Sequence, residues 1–209
     1  DIIGTYHINR VGYSIGSFFG YTSAGVNPAN GNPMWYKGDG NGNLTSTIVQ
    51  YNIAGNNYRE FNPAEPGDVS KASTLSATTD RTILGNSNPL WMGGWSNNFR
   101  FKGFDFEVFS RFQGGNMVMN VTKQETLLNM GFQNNGQIIM DRWTTAGQVT
   151  EVPKVWTGRE AAINTTGAAS TRFLEKGDFF RIQNIVLGYR LPASVLTKIE
   201  KAGIRSLRV

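Results

Sequence analysis

The sequence predicts an all-β chain whose strands form a partial segment of an antiparallel transmembrane β-barrel with long extracellular loops. Three observations predict it. The stretch LWMGGWSNNFRFKGFDFEVFSRF, residues 90–112, alternates apolar and polar side chains through two arms joined by Lys102-Gly103. Each arm has about the ~9–11 residues that a tilted strand needs to cross a bilayer. The turn between the arms is two residues, whereas the connections before and after them each exceed sixty. Short turns at one end and long loops at the other are the habit of outer-membrane barrels. A soluble sheet can also carry one apolar and one polar face, so alternation alone leaves a β-sandwich open.

The hairpin comes first because its register assigns faces. Side chains alternate sides along a strand. A two-residue turn with glycine pairs Phe101 with Phe104. Odd positions of the first arm then share a face with even positions of the second. That face holds Phe99, Phe101, Phe104, Phe106, Val108 and Phe112, and these are expected to meet lipid. The opposite face holds Asn98, Arg100, Asp105, Glu107 and Arg111. Asp105, Glu107 and Arg111 are expected to face a wet lumen. Strands are placed at about 90–101 and 104–112.

The other elements follow in order. Asp1–Arg10 alternates weakly and reads as the end of a strand. Residues 12–88 are rich in turn signals, among them Asn27-Pro28, Asn30-Gly31, Asn32-Pro33 and GDGNGN at 38–43. They are expected as the first long extracellular loop, since connections of this length without regular structure are usually functional. Residues 114–178 form the second. Within it, 121–130 and 133–143 read as short helices, and 144–171 as polar loop. Phe179–Leu191 is the next strand, with Ile185, Leu187, Tyr189 and Leu191 on one face, and Pro192 stops it. Ala193–Ala202 fits a short helix, and residues 204–209 begin a further strand. Four or so such strands cannot close around a lumen, because barrel diameter scales with strand number.

Composition sets the limits on chemistry. The mean hydropathy is −0.32, and no run approaches the ~18 apolar residues of a membrane helix. The chain has 25 glycines and 12% aromatics but only 17% charged residues, which suits strands with elaborate turns. There is no cysteine, hence no disulfide and no thiolate metal site. His7 is the only histidine, which removes Ser-His-Asp and Cys-His arrangements. Asp39, Asn41 and Asn43 have the spacing of an EF-hand start, but that loop wants Gly where Leu44 stands and Glu where Gln50 stands. The net charge of +5 lies entirely beyond residue 171. Its bases are scattered rather than interleaved with aromatics on one face, so nucleic acid is not an expected partner. No catalytic group, cofactor or metal is expected. Trp35 and Tyr36 in the first loop and Trp156 in the second are candidate substrate-binding rings, able to stack on a sugar or grip a peptide.

At residues 175–209, EKGDFFRIQNIVLGYRLPASVLTKIEKAGIRSLRV, the chain closely resembles the C-terminal region of SusC/RagA-family TonB-dependent outer-membrane transporters. Asp178, Arg181, Asn184, Leu187, Gly188, Tyr189, Leu191 and Pro192 fit the family pattern in order. GSFFGYTSAGV at 16–26, ILGNSNPLWMGGWSNNFRFKGFDF at 83–106, and DRW at 141–143 followed by Pro153 resemble upstream family elements. The resemblance runs from about Gly12 to Val209. It implies the C-terminal portion of a barrel of about twenty-two strands, in the outer membrane of a Gram-negative bacterium. It also implies import of oligosaccharides or peptides. The partners would be a SusD-like surface lipoprotein, and TonB engaged through a part N-terminal to this chain. The family's signal peptide and plug domain are expected before Asp1. One departure concerns residues 71–80, KASTLSATTD, where many members have an acidic turn suggestive of a cation loop. A single carboxylate stands here, so no metal is carried over. The competing class is a secreted β-sandwich that binds glycans, which would turn every ~8–12 residues.

Overall fold

A computed structural model describes residues 1–131 and 133–199. The chain divides into two compact units. One comprises Asp1–Asn88 and Asn116–Lys176. The other comprises Pro89–Gly115 and Gly177–Val209, of which residues 177–199 are described.

The first unit is the larger surprise. Residues 12–88, expected as loop, carry six strands: β3 (Ser17–Tyr21), β4 (Ser23–Val26), β5 (Pro33–Gly38), β6 (Leu44–Asn52), β7 (Asn57–Glu60) and β8 (Thr82–Asn86). Strands β4 to β7 form an antiparallel meander. The stretch expected as a strand end before them is a small hairpin of β1 (Ile2–Ile3) and β2 (His7–Asn9). Strand β3 takes β2 and β8 antiparallel and β12 (Ala169–Ser170) parallel. Residues 114–178 add β11 (Met117–Met119) paired with β13 (Leu174–Lys176). The two expected helices shrink to a π-helical turn, Lys123–Leu127, and a 3-10 turn, Gln137–Asp141. The expected polar loop 144–171 includes a helical turn, α1 (Glu160–Asn164), besides β12.

A shared core explains why these segments are ordered. Tyr21, Trp35, Val49, Tyr51 and Ile53 from the first segment are buried with Leu128, Met130, Val152, Ile163 and Phe173 from the second. A hydrogen-bond hub sits beside this core. Gln50 Oε1 accepts from the side-chain amides of Asn27 (3.0 Å), Asn30 (3.0 Å) and Asn32 (3.1 Å). Gln50 Nε2 donates to the Asp68 carbonyl at 3.0 Å. The turn-rich run Asn27–Asn32 is therefore fixed by one buried side chain. Buried amides without such partners would each cost about 1–3 kcal/mol.

Tyr58 packs against Tyr51 (5.2 Å between ring centres) and Trp35 (6.1 Å). Burial pushes its phenol up to about 12, with Tyr21 and Tyr51 adding to the shift. The folded value lies above the unfolded one of about 10. The stabilisation is thus complete below pH 10 and is lost as pH rises toward 12. A rise of that size corresponds to about 2–3 kcal/mol. Thermal scans of the intact protein from pH 9 to 12 should show a decline that Tyr58→Phe flattens. An unchanged slope in the variant would contradict this burial.

The second unit is a three-stranded antiparallel sheet in the order β14-β10-β9. Its strands are β9 (Trp91–Phe101), β10 (Phe104–Gly114) and β14 (Phe179–Tyr189), each of 11 residues. Phe101 stands opposite Phe104. Both turn residues have positive φ, 46° at Lys102 and 88° at Gly103, as a type I′ turn requires. Strand β14 stops before Pro192, and α2 (Ala193–Ile199) follows. The strand expected at 204–209 lies outside the described residues. No described helix is long and apolar enough to cross a membrane, which says nothing of crossing by strands.

Candidate functional site

The sheet of the second unit offers two unlike faces. Register and pleat put Trp91, Trp95, Phe99 and Phe101 of β9 on one side with Phe104, Phe106, Val108 and Phe112 of β10. A bulge in β14 extends this side. Val108 pairs with Ile185, yet Ser110 pairs with Ile182, so one residue is skipped between them. The skip brings Phe180 and Ile182 onto the face of Ile185, Leu187 and Tyr189. Without it those two side chains would point the other way. Cross-strand pairs line the face: Phe99 with Phe106 (6.4 Å), Phe112 with Phe180 (6.4 Å) and Phe104 with Tyr189 (4.5 Å). Yet the face is uncovered. Phe101 is 69% exposed, Leu187 67% and Phe180 64%. An apolar surface of this continuity marks contact with something other than water.

The reverse side carries charge. Arg100 Nε lies 3.2 Å from Asp105 Oδ1 across the hairpin. Glu107 sits between Asn98 and Val186, and Arg111 stands between Gly94 and Arg181. The two arginines face one another with like charge, an arrangement that needs water or anions around it.

The three candidate rings separate. Trp35 is only 2% exposed and lies in the core of the first unit, so the expectation of a loop ring open to substrate is corrected. Its position between β4 and β6 in the meander, opposite Ser23 and Val49, explains the burial. Tyr36, the next residue, is half-buried. Trp156 is 39% exposed. It borders a cleft of about 200 Å³ with Asn30, Asn32, Asn52, Val69 and Lys154. Lys154 Nζ lies 5.5 Å from the Trp156 ring and 5.8 Å from that of Trp143. The Trp143 indole N–H donates to the Pro28 carbonyl at 2.9 Å. An open ring beside amide groups can hold a sugar face or a peptide backbone. The amide side of this cleft comes from Asn30, Asn32 and Asn52, far upstream of Trp156 in sequence, and no local signal placed it there.

Two further acidic positions have structural partners. Asp39 closes its own turn, accepting from the backbone of Asn41 (2.7 Å) and Asn43 (3.1 Å). The Asn43 side-chain amide and these backbone bonds hold its carboxyl below the usual carboxylate range. Asp80, the one carboxylate of residues 71–80, is fully buried. It accepts from Lys37 Nζ (3.2 Å), Gly38 N (3.2 Å) and Ser76 N (2.7 Å). The Lys37 ammonium supplies its countercharge. Among the described residues no group of three or more His, Asp or Glu side chains could hold a metal.

With this geometry in view, the likeness to known proteins can be placed. No protein-family model matches the chain. It is similar to TonB-dependent receptor P3 of Formosa agariphila, 28% identical over 207 residues, covering 97% of this chain and 17% of that receptor. It is also similar to TonB-dependent receptor P39 of the same organism, 25% identical, covering 94% of this chain and 20% of that receptor. Among solved structures it resembles the RagAB peptide importer in its closed-closed state, with a TM-score of 0.67 at 23% identity, over 100% of this chain and 20% of that one. The open-open state of the same importer gives 0.60 over 97% of this chain. The chain thus spans about a fifth of the length of the proteins it matches. The resemblance carried by the motifs is borne out: this is an all-β chain similar to part of a TonB-dependent transporter of the RagA kind. Its described strands do not close a barrel. The curated relatives are receptors rather than enzymes, in keeping with a chain to which no catalytic role was assigned.

Proposed function

We propose that the chain is the C-terminal portion of the barrel of a TonB-dependent transporter that imports oligosaccharides or peptides across the outer membrane of a Gram-negative bacterium. The observation that carries this reading is the sheet with one uncovered aromatic face and one charged face. In a barrel the first meets lipid and the second lines the lumen. Phe99, Phe101, Phe104, Phe106, Val108 and Phe112 are then the lipid-facing set, and Asp105, Glu107 and Arg111 the lumenal one. A water-soluble sandwich would bury such a face under a second sheet.

In this reading the Lys102-Gly103 turn and the link after Pro192 lie on the periplasmic side, and residues 12–88 and 114–178 outside. Successive antiparallel strands alternate ends, so both short links fall at one end. A SusD-like lipoprotein meets the outer body, and TonB acts through a part N-terminal to this chain. Peptide is the first cargo to test, because the solved neighbours are named as peptide importers. Trp156 is the ring of this segment best placed to touch cargo.

Protease added to intact cells should cut within 12–88 or 114–178 and spare Lys102. Crosslinkers placed in those outer segments should capture a surface lipoprotein. Cleavage at Lys102 in intact cells would reverse the topology, and recovery of the protein in the soluble fraction without detergent would end the transporter reading.

A further inference from the structure

Asn-Gly steps occur at 30–31, 41–42 and 135–136. Each carries latent chemistry. The backbone nitrogen after asparagine can attack the side-chain amide carbon, and glycine, with no Cβ, lets the two approach. The attack is open only where the reacting groups are not already held. The fold holds these steps unequally.

At 30–31 both groups are engaged. Gly31 is buried, and its N donates to the Asn27 carbonyl at 2.8 Å. Asn30 Nδ2 donates to Gln50 Oε1 (3.0 Å), and Asn30 Oδ1 accepts from Asn32 N (3.0 Å). At 135–136 the pattern repeats. Gly136 N donates to the Leu127 carbonyl at 2.9 Å. Asn135 Oδ1 accepts from Met130 N (2.9 Å), and its Nδ2 donates to the Gln133 carbonyl (3.3 Å). Asn41 and Gly42 differ. Both are exposed, in the turn between β5 and β6. Asn41 is held by its backbone N alone, which donates to Asp39 Oδ1 at 2.7 Å. Its side chain and Gly42 N have no hydrogen-bond partner among the described residues. The Asp39 carboxylate takes Asn41 N and Asn43 N and passes over the nitrogen between them. The adjoining Asp39-Gly40 step, open in principle to the same attack, is tied. Its carboxylate accepts from Asn41 N, Asn43 N and Asn43 Nδ2, and Gly40 N donates to the Thr79 carbonyl at 3.3 Å.

We propose that Asn41 is a site of spontaneous covalent modification, deamidation through a cyclic imide formed with Gly42. Gly42 N loses its proton and bonds to Asn41 Cγ. The Cγ–Nδ2 bond breaks, and ammonia leaves with that proton. Water then opens the imide at either carbonyl, giving aspartate or isoaspartate at position 41. Each conversion adds a negative charge beside Asp39. The isoaspartate product also adds a backbone carbon between the two amides that Asp39 holds. At 30–31 and 135–136 the attack must first break two or three hydrogen bonds, which slows it by roughly tenfold or more. This chemistry is local to the turn and independent of what the chain transports.

The test incubates the intact protein, purified in detergent, in warm, mildly alkaline buffer. Samples drawn over time are digested under mild acid, and mass spectrometry scores amide or acid at each step. A parallel series is kept in denaturant. In the folded protein position 41 should convert roughly tenfold or more faster than positions 30 and 135. In denaturant the steps should convert at similar rates. An isoaspartyl methyltransferase should label folded samples at position 41 ahead of the other two. Equal rates in the folded protein, or earlier conversion at 30 or 135, overturns the proposal. So does a position 41 that stays amide in the folded protein while it converts in denaturant. A lead of position 41 that persists unchanged in denaturant overturns it too, because local sequence and not the fold would then set the rate.

Discussion

Arginine in place of Phe106 is expected to destabilise the protein by about 1–2 kcal/mol, between the cost at the bilayer midplane and that near the interface. Phe106 sits on the central strand of its sheet, between Phe99 on β9 and Leu187 on β14. It is the third residue of an 11-residue strand and stacks on Phe99. A guanidinium there would leave water for hydrocarbon, with only its own length to reach back toward a headgroup. Glu107→Arg is the control, since the neighbouring side chain points to the charged face. Denaturant titration of the intact protein refolded into lipid vesicles should show a large loss for the first variant and a small one for the second. Equal losses, or a neutral Phe106→Arg, would show that the aromatic face does not meet lipid.

The second large effect is expected at Gly20. A Cβ there would lie 1.9 Å from the Ala169 carbonyl oxygen and 2.5 Å from its carbon. Both atoms are backbone, so no side chain can swing aside. Gly20 and Ala169 are paired in the parallel contact of β3 with β12. Gly20→Ala must push these strands apart, and β12 leads directly to Phe173, which is fully buried in the core. The loss is expected at about 3 kcal/mol or more, the upper end for overpacking. Limited proteolysis of the intact protein should open residues 12–88 and 114–178 in this variant. Unaltered resistance would mean that β12 can leave β3 without loss.

The hairpin was legible because its information is local. A type I′ turn at Lys102-Gly103 fixes the pairing, and the pairing fixes which side each phenylalanine takes. Strand β14 was legible in part. Ile185, Leu187 and Tyr189 announced their shared face, but Phe180 and Ile182 sit on the other parity and join it only through the bulge. Period-two reading has no means of seeing a skipped residue. The first unit was not legible. Its core side chains stand one or two at a time among glycines and asparagines, and their partners lie more than a hundred residues away, as Ser23 N bonding to Thr171 Oγ1 illustrates. Trp35 was misjudged for another reason: the turn signals around it were real, and they hid the neighbouring strands β4 and β6 that flank it.

That 148-residue separation between Ser23 and Thr171 has a consequence in time. The meander β4 to β7 closes on near neighbours and can assemble as soon as it is made. The five-stranded sheet cannot, because β12 lies far downstream of β3. Until residue 173 is present, Tyr21, Trp35 and Tyr51 lack the Phe173 ring that completes their core. Contacts of this range fold slowly and leave strand edges open meanwhile. A chain built this way holds open strand edges for that interval, and slowing the arrival of β12 should raise the share of chains lost to aggregates.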